Sequence, residues 1–306
     1  MLPFHLVYHD GYDLKLGGHV FPAQKYRLIR ERLLAEGFAG PGDFRVPERV
    51  DDEQMMLVHD RGWIQRLKFG TLSYHEIVKL EIPYSRHVVE GFWLAAGGTV
   101  LAAREALTGG IGFNIGGGFH HAFAAHGEGF CAIHDVAVAI RTLQREGAIR
   151  SALVIDLDVH QGNGTASIFH GDANVKTISF HQRDNYPYEK PPSTIDVHLP
   201  DGVGDAEYLP ELQEVCSLAI PGYRPDILFY VAGADPYFED QLGGLSMTIE
   251  GLRQRDRIVF EAARQHKVPV VVTLAGGYAL KTEDTIEIHC STAREASSVF
   301  GSSAAV

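Results

Sequence analysis

Apolar runs rich in valine and isoleucine alternate with amphipathic segments along the whole chain. Residues 4–9, 111–115, 151–158, 175–181, 226–232 and 268–274 read as strands, several of them apolar throughout, as in a sheet buried on both faces. Segments at about 22–36, 85–108, 134–147, 207–220, 248–266 and 282–298 read as helices. Arg253 to Arg264 has the mixed charged and apolar spacing of a surface helix. Strands alternating with helices predict an α/β fold, with residues 1–306 forming a single domain of three layers around a mostly parallel central sheet. Ligands of such sheets gather beyond the carboxyl ends of the strands. No repeat or linker interrupts the pattern. Tyr186 to Asp205, with its prolines and glycines, is the longest irregular stretch and suits a pocket wall. The tail Gly301 to Val306 is expected to fray.

Chemistry-bearing residues collect where the apolar runs end. The run 151–164 reads S-A-L-V-I-D-L-D-V-H-Q-G-N-G, and residues two apart in an extended chain point the same way. Asp158 and His160 are therefore expected to project together and grip one ion. Asp235 closes a second run, D-I-L-F-Y-V-A-G-A-D (226–235). Taken alone, such residues are usually caps or turn formers. Together, two aspartates and one histidine make a three-ligand site with an open position, as a catalytic zinc requires; the same set also suits iron(II). That points to metal-assisted hydrolysis.

Four motifs, G-G-G-F-H-H-A (116–122), D-L-D-V-H-Q-G-N-G (156–164), A-G-A-D-P (232–236) and A-G-G-Y (275–278), resemble in order and spacing those of the zinc-dependent histone deacetylase family. The H-Q-G-N form and G-E-G-F-C (127–131) look most like the class IV branch and its bacterial relatives. The likeness runs from about Tyr8 to Tyr278 and implies an arginase/deacetylase-like fold. It implies a zinc-dependent amidohydrolase removing acetyl or longer acyl groups from N-acyl-lysine, with an acetylpolyamine or other small acylated amine as the alternative substrate. By motif position His120 would act electrostatically, His121 as general base and then acid, and Tyr278 as the donor to the scissile carbonyl. Asp156 would hold His120. Asn163 stands by His121 where many members carry an aspartate, and an amide cannot stabilise imidazolium by charge. Gly129, Phe130, Tyr186, Gly276 and Gly277 would line the substrate channel, and Tyr186-Pro187 its wall. Structural potassium is also implied, at an inner site of Asp156, Asp158, His160, Ser179 and Phe180 and an outer one of Phe169, Asp172 and Val175. Lys25 is either a buried cation near the product exit or a surface helix lysine. An arginase would need further aspartates for a second metal, but Gln161-Gly162-Asn163 follows His160 and Pro236-Tyr237 follows Asp235. Intact ligands, dyad and tyrosine argue against a non-catalytic binding module.

Composition narrows this further. At 306 residues, 45% hydrophobic and 22% charged, the chain is ordinary for a one-core enzyme. A net charge of −12, from 27 basic and 39 acidic residues, argues against direct nucleic-acid binding. Cys131, Cys216 and Cys290 form no C-x-x-C pair, so neither a disulfide framework nor a thiolate zinc site is indicated. Cys131 reads as a small buried residue. No apolar stretch approaches a membrane span and the N-terminus lacks a signal pattern, so a cytoplasmic location is expected.

Overall fold

The computed structural model describes residues 2–301. Its strands are β1 (Leu6–Val7), β2 (Phe44–Arg45), β3 (Ile111–Asn114), β4 (Ala152–Asp156), β5 (Val175–Gln182), β6 (Ile195–Leu199), β7 (Ile227–Ala232) and β8 (Val270–Leu274). They form one sheet in the order β2-β1-β3-β8-β7-β4-β5-β6. Every pairing is parallel, so the sheet is wholly rather than mostly so. The residues of β3, β4, β7 and β8 are all buried, as their mostly apolar runs require. All strand carboxyl ends therefore lie along one edge.

Among the described residues the expected helices appear as α1 (Lys25–Ala35), α5 (Arg86–Gly109), α6 (Asp135–Arg145), α8 (Asp205–Tyr223), α9 (Ile249–Gln265) and α10 (Thr282–Gly301). Short helices α2 (Asp52–Met55), α3 (Arg61–Phe69), α4 (Tyr74–Leu80) and α7 (Asn163–Ile168) were not anticipated, being too short to show a full apolar stripe. None of the described helices is long and apolar enough to cross a membrane. Ser85 caps α5 by accepting from Val88 N–H (3.1 Å). The helix then packs on β3 and β8 and is covered by α6. Gly97 permits part of this packing, since a Cβ there would come within 1.8 Å of the Glu48 carbonyl oxygen. Elsewhere α9 packs between α8 and α10.

Three expectations need correction. Strand 4–9 contracts to Leu6–Val7. The supposedly irregular Tyr186–Asp205 stretch contains β6, an edge strand whose half-buried I-D-V-H-L pattern is hidden behind the prolines at 191 and 192. Helix α9 is not a plain surface helix, because Arg255 and Asp256 are buried within it as an ion pair (2.7 Å). Residues 302–306 of the expected frayed tail, and Met1 of the 1–306 domain, lie outside the described residues.

Candidate metal centre and active site

Strand β4 stops at Asp156, and the chain bends through residues 158–160. Asp158 and His160 thus converge through a turn rather than through strand alternation. His160 N–H donates to Asp158 Oδ1 (2.9 Å) and closes that turn. Asp235 sits in the turn after β7, where its Oδ1 accepts from Val159 N–H (2.9 Å) and ties the two loops together. One ligand atom from each of Asp158, His160 and Asp235 can be chosen so that all lie within 4.8 Å of one another. All three residues are buried.

This cluster carries the signs of a cation site. Asp235 Oδ2 accepts no hydrogen bond although it is fully buried, with His160 Nδ1 3.4 Å away. Such an orphaned anionic oxygen is costly unless something positive meets it. Burial and the adjacent Asp158 charge push Asp235 up to about 7. For His160 burial works against charge, but Asp158 and Asp235 outweigh it and raise the ring to about 10. Two carboxylates, one of them with an unsatisfied oxygen, and one imidazole fit a divalent ion. Gly276 floors the cluster and donates its N–H to Asp158 Oδ2 (2.8 Å).

Arg255 supports it from behind, a role the sequence reading did not assign. Its Nη1 donates to the carbonyls of Gly233 (2.6 Å) and Leu157 (3.4 Å), just ahead of Asp235 and Asp158. The available signal was an Arg-Asp pair where the helix stripe calls for apolar residues.

The glycines after β3 make a tight turn, with Gly117 and Gly118 both at φ 75°. Gly118 and Phe119 donate their N–H groups to buried Asp135 (3.0 and 2.8 Å), which aims the two histidines that follow. His120 Nδ1 meets Asp156 Oδ2 (2.7 Å) and His121 Nδ1 meets Asn163 Oδ1 (2.8 Å). Burial opposes charge on His120, yet Asp156 and Asp158 raise it to about 9. Burial and the neighbouring charges of His120 and His160 hold His121 well below its usual value. Adjacent imidazoles driven apart in this way can serve as a cation and as a neutral base.

Tyr278 lies across the site, its ring centroid 6.4 Å from that of His160. Its backbone is fixed by Asp240 Oδ2, which accepts the Tyr278 N–H (2.7 Å). Burial, then Asp158 and Asp235, raise its phenol well above 10, so it remains a donor. A cavity of about 180 Å³ reaches these groups. Gly129, Phe130 and Tyr186 wall it, and Tyr186 approaches His121 edge-on at 5.0 Å. Glu81, Asn185 and Leu242 complete the wall and carry no motif that would have marked them. Pro187 lies instead in an adjoining surface groove. Neither Gly276 nor Gly277 lines this cavity itself: Gly276 lies against the Asp158 and Asp235 carboxylates and lines a smaller cavity that shares Gly129, Phe130 and Tyr278 with it, and Gly277 faces Ala234, Thr285 and His289.

This smaller cavity, of about 20 Å³, also shares His121 with the channel and is otherwise lined by residues that include Phe21, Tyr26, His120 and Asp158. Lys25 is buried rather than a surface lysine. Its ammonium donates to the Ala275 carbonyl and lies 5.4 Å from the Phe21 and Tyr26 rings. Burial lowers it to about 8 against the pull of Asp235, Asp158 and Asp240. Cys131 is buried, and burial raises its thiol well above the usual value, as expected of a packing residue.

For the inner potassium set, Asp156 is the register partner of Ser179, with Phe180 next along β5 and Asp158 and His160 just beyond β4. In the outer set, Asp172 N–H donates to the Phe169 carbonyl (3.0 Å) and Asp172 Oδ1 accepts from Val175 N–H (3.3 Å). Arg141 pairs with the Asp172 carboxylate (2.8 Å) and its guanidinium stacks 5.0 Å from the Phe169 ring. A positive side chain therefore already meets the one carboxylate there.

The histone deacetylase domain model matches residues 19–293. An uncharacterised protein of Picosynechococcus sp. is 38% identical over 97% of this chain and 99% of its own length. Histone deacetylase 2 of Arabidopsis thaliana is 30% identical over 89% of this chain and 74% of its own. The solved HDA15 HD domain superposes with a TM-score of 0.81 at 24% identity, over 98% of this chain and 91% of that one, and shows the same fold.

Proposed function

The chain belongs to the histone deacetylase family, and on that premise we propose that it is a zinc-dependent hydrolase of N-acyl-lysine side chains, of the class IV type. The observation that carries this reading is the orphaned Asp235 oxygen in the Asp158–His160–Asp235 cluster, at the foot of an aromatic-walled channel. Those three side chains would hold the ion. When bound, zinc supplies Lewis acidity, polarising the amide carbonyl and making water a better nucleophile near neutral pH.

The remaining work falls to the chain's own groups. Phe130 and Tyr186 present apolar faces suited to a lysine stem. His121, kept neutral by burial, accepts the proton of the attacking water at Nε2 while Nδ1 remains bonded to Asn163. Tyr278 donates to the carbonyl oxygen as negative charge develops there. His121 then returns its proton to the departing amine. His120, charged and bonded to Asp156, offsets negative charge beside the reacting atoms. Asp156, Ser179 and the carbonyls of Asp158, His160 and Phe180 are assigned to structural potassium.

The smaller cavity beside His120, His121 and Tyr278, about 20 Å³, has room for little more than a water or a methyl group, which supports acetyl over long acyl groups. Zinc-loaded protein assayed against acetyl-, octanoyl- and myristoyl-lysine peptides and acetylated polyamines tests both points. Acetyl-lysine should be turned over best, with activity lost to chelation and restored by zinc. Preferred turnover of acetylpolyamines would overturn the lysine assignment, and preferred myristoyl release the acetyl one.

A further inference from the structure

Behind the His121–Asn163 pair lies a carboxylate with no part in the reaction just described. Glu128 is 6% exposed. Its Oε1 accepts from Asn163 Nδ2 (2.5 Å) and lies 3.4 Å from the Tyr186 hydroxyl. Its Oε2 pairs with Lys79 Nζ (2.6 Å) on α4 and with His126 Nε2 (3.1 Å). We propose that Glu128 is a positioning residue that fixes the orientation of the Asn163 amide and, through it, the tautomer of His121. This rests on His121 being the base.

The argument turns on the two unlike ends of an amide. A carboxylate at position 163 would accept from His121 with either oxygen and would set the tautomer unaided. Asparagine can present a carbonyl or an NH₂ group, and only the carbonyl forces His121 Nδ1 to carry the proton and leaves Nε2 free to accept one. Two contacts select that orientation. Asn163 Oδ1 also accepts from Gly164 N–H (3.0 Å), and Nδ2 points at Glu128. Turning the amide over would set oxygen against the carboxylate and NH₂ against the Gly164 N–H, two repulsive contacts in a buried site. Burial alone would raise Glu128, but hydrogen bonds from His126, Lys79 and Asn163 outweigh it and hold the group at about 2. It therefore offers only acceptors at working pH. Lys79 and His126 act from outside, keeping the carboxylate turned inward.

The test compares Glu128→Met, which keeps volume without an acceptor, with Glu128→Gln, which keeps an acceptor without charge. Each is measured in zinc-loaded protein whose metal content matches wild type. Glu128→Met should lower kcat about tenfold or more with KM within about twofold, a part of the 10²–10⁴ that a general base supplies. Glu128→Gln should retain most of kcat. Adding Asn163→Asp to Glu128→Met should restore it, because a carboxylate needs nothing behind it to choose an end. Nitrogen-15 spectra of histidine-labelled protein read the tautomer directly, the His121 signals being those absent from His121→Ala. They should show protonated Nδ1 in wild type and a mixture, or protonated Nε2, in Glu128→Met. Wild-type kcat and tautomer in Glu128→Met would overturn the proposal, as would a double variant no better than Glu128→Met or a Glu128→Gln as impaired as Glu128→Met. If His121→Ala itself stayed active, the base assignment would fall first and this role with it.

Discussion

A methyl group placed at residue 276 should weaken metal binding at the Asp158–His160–Asp235 cluster while leaving the fold standing. The Gly276 N–H is bonded to Asp158 Oδ2, so its α-carbon faces both carboxylates. A Cβ built there would lie 2.0 Å from Asp235 Oδ2 and 2.5 Å from Asp158 Oδ2. Unbonded carbon and oxygen atoms do not approach below about 3 Å, so each carboxylate must withdraw by roughly 0.5–1 Å. Neither can do so freely, since Val159 N–H holds Asp235 Oδ1 and His160 N–H holds Asp158 Oδ1. Zinc tolerates ligand distances only within about 0.2 Å of their proper values. Gly276→Ala is accordingly expected to weaken zinc binding by about 100-fold or more, at or beyond the top of the range for changes that merely reorient ligands. Its φ is not left-handed, so alanine meets no backbone strain. The cost in stability is then that of overpacking, about 1–3 kcal/mol. Chelator competition and metal analysis give the affinity, and thermal melts of the metal-free proteins give the stability. Wild-type zinc affinity in a folded Gly276→Ala protein would show that the two carboxylates do not share an ion there.

Two further perturbations separate chemistry from folding. Tyr278→Phe keeps the ring packed against Phe130 and His160 and should keep zinc and melting temperature, yet lose about 2.7–4 kcal/mol of transition-state stabilisation. Turnover within threefold of wild type would assign the carbonyl to another donor. His59 is buried and held at about 4, chiefly by burial, against 6.5 for the free side chain. Between those values the unfolded chain binds the extra proton, so stability present above pH 6.5 declines as pH falls toward 4, by about 3 kcal/mol in full. His59→Gln should flatten that slope in urea melts at pH 7 and 5, and an identical slope would refute the attribution.

Much of this was legible because buried parallel strands leave a strong one-dimensional trace. Runs such as Val270–Leu274 marked the sheet, and their ends marked the site. What escaped depends on folding in three dimensions. Asp158 and His160 were paired by strand alternation, whereas a bend closed by the His160 N–H brings them together. Arg255 reads as a surface charge until the helix is docked and its guanidinium reaches two strand-end carbonyls. Nothing one-dimensional joins Glu128 to Asn163, 35 positions away. The A-G-G-Y motif places Gly276 by the channel but does not show how closely its α-carbon approaches the Asp158 and Asp235 carboxylates.

The strand order also bears on how the molecule is made. β8 lies between β3 and β7, although it is the last strand to be synthesised among the described residues. Until Val270–Leu274 has left the ribosome, β2-β1-β3 and β7-β4-β5-β6 share no hydrogen-bonded edge. The first group leads to His120 and His121, the second to Asp158, His160 and Asp235, and β8 itself leads to Tyr278. Without β8 the loops carrying His121 and the Asp158–His160–Asp235 cluster would meet through contacts such as His120 Nδ1 to Asp156 Oδ2 (2.7 Å) and not through a shared sheet edge. Insertion of one five-residue strand joins the sheet and sets the two groups of strand ends in register, so the long-range pairing that completes the sheet must wait for β8.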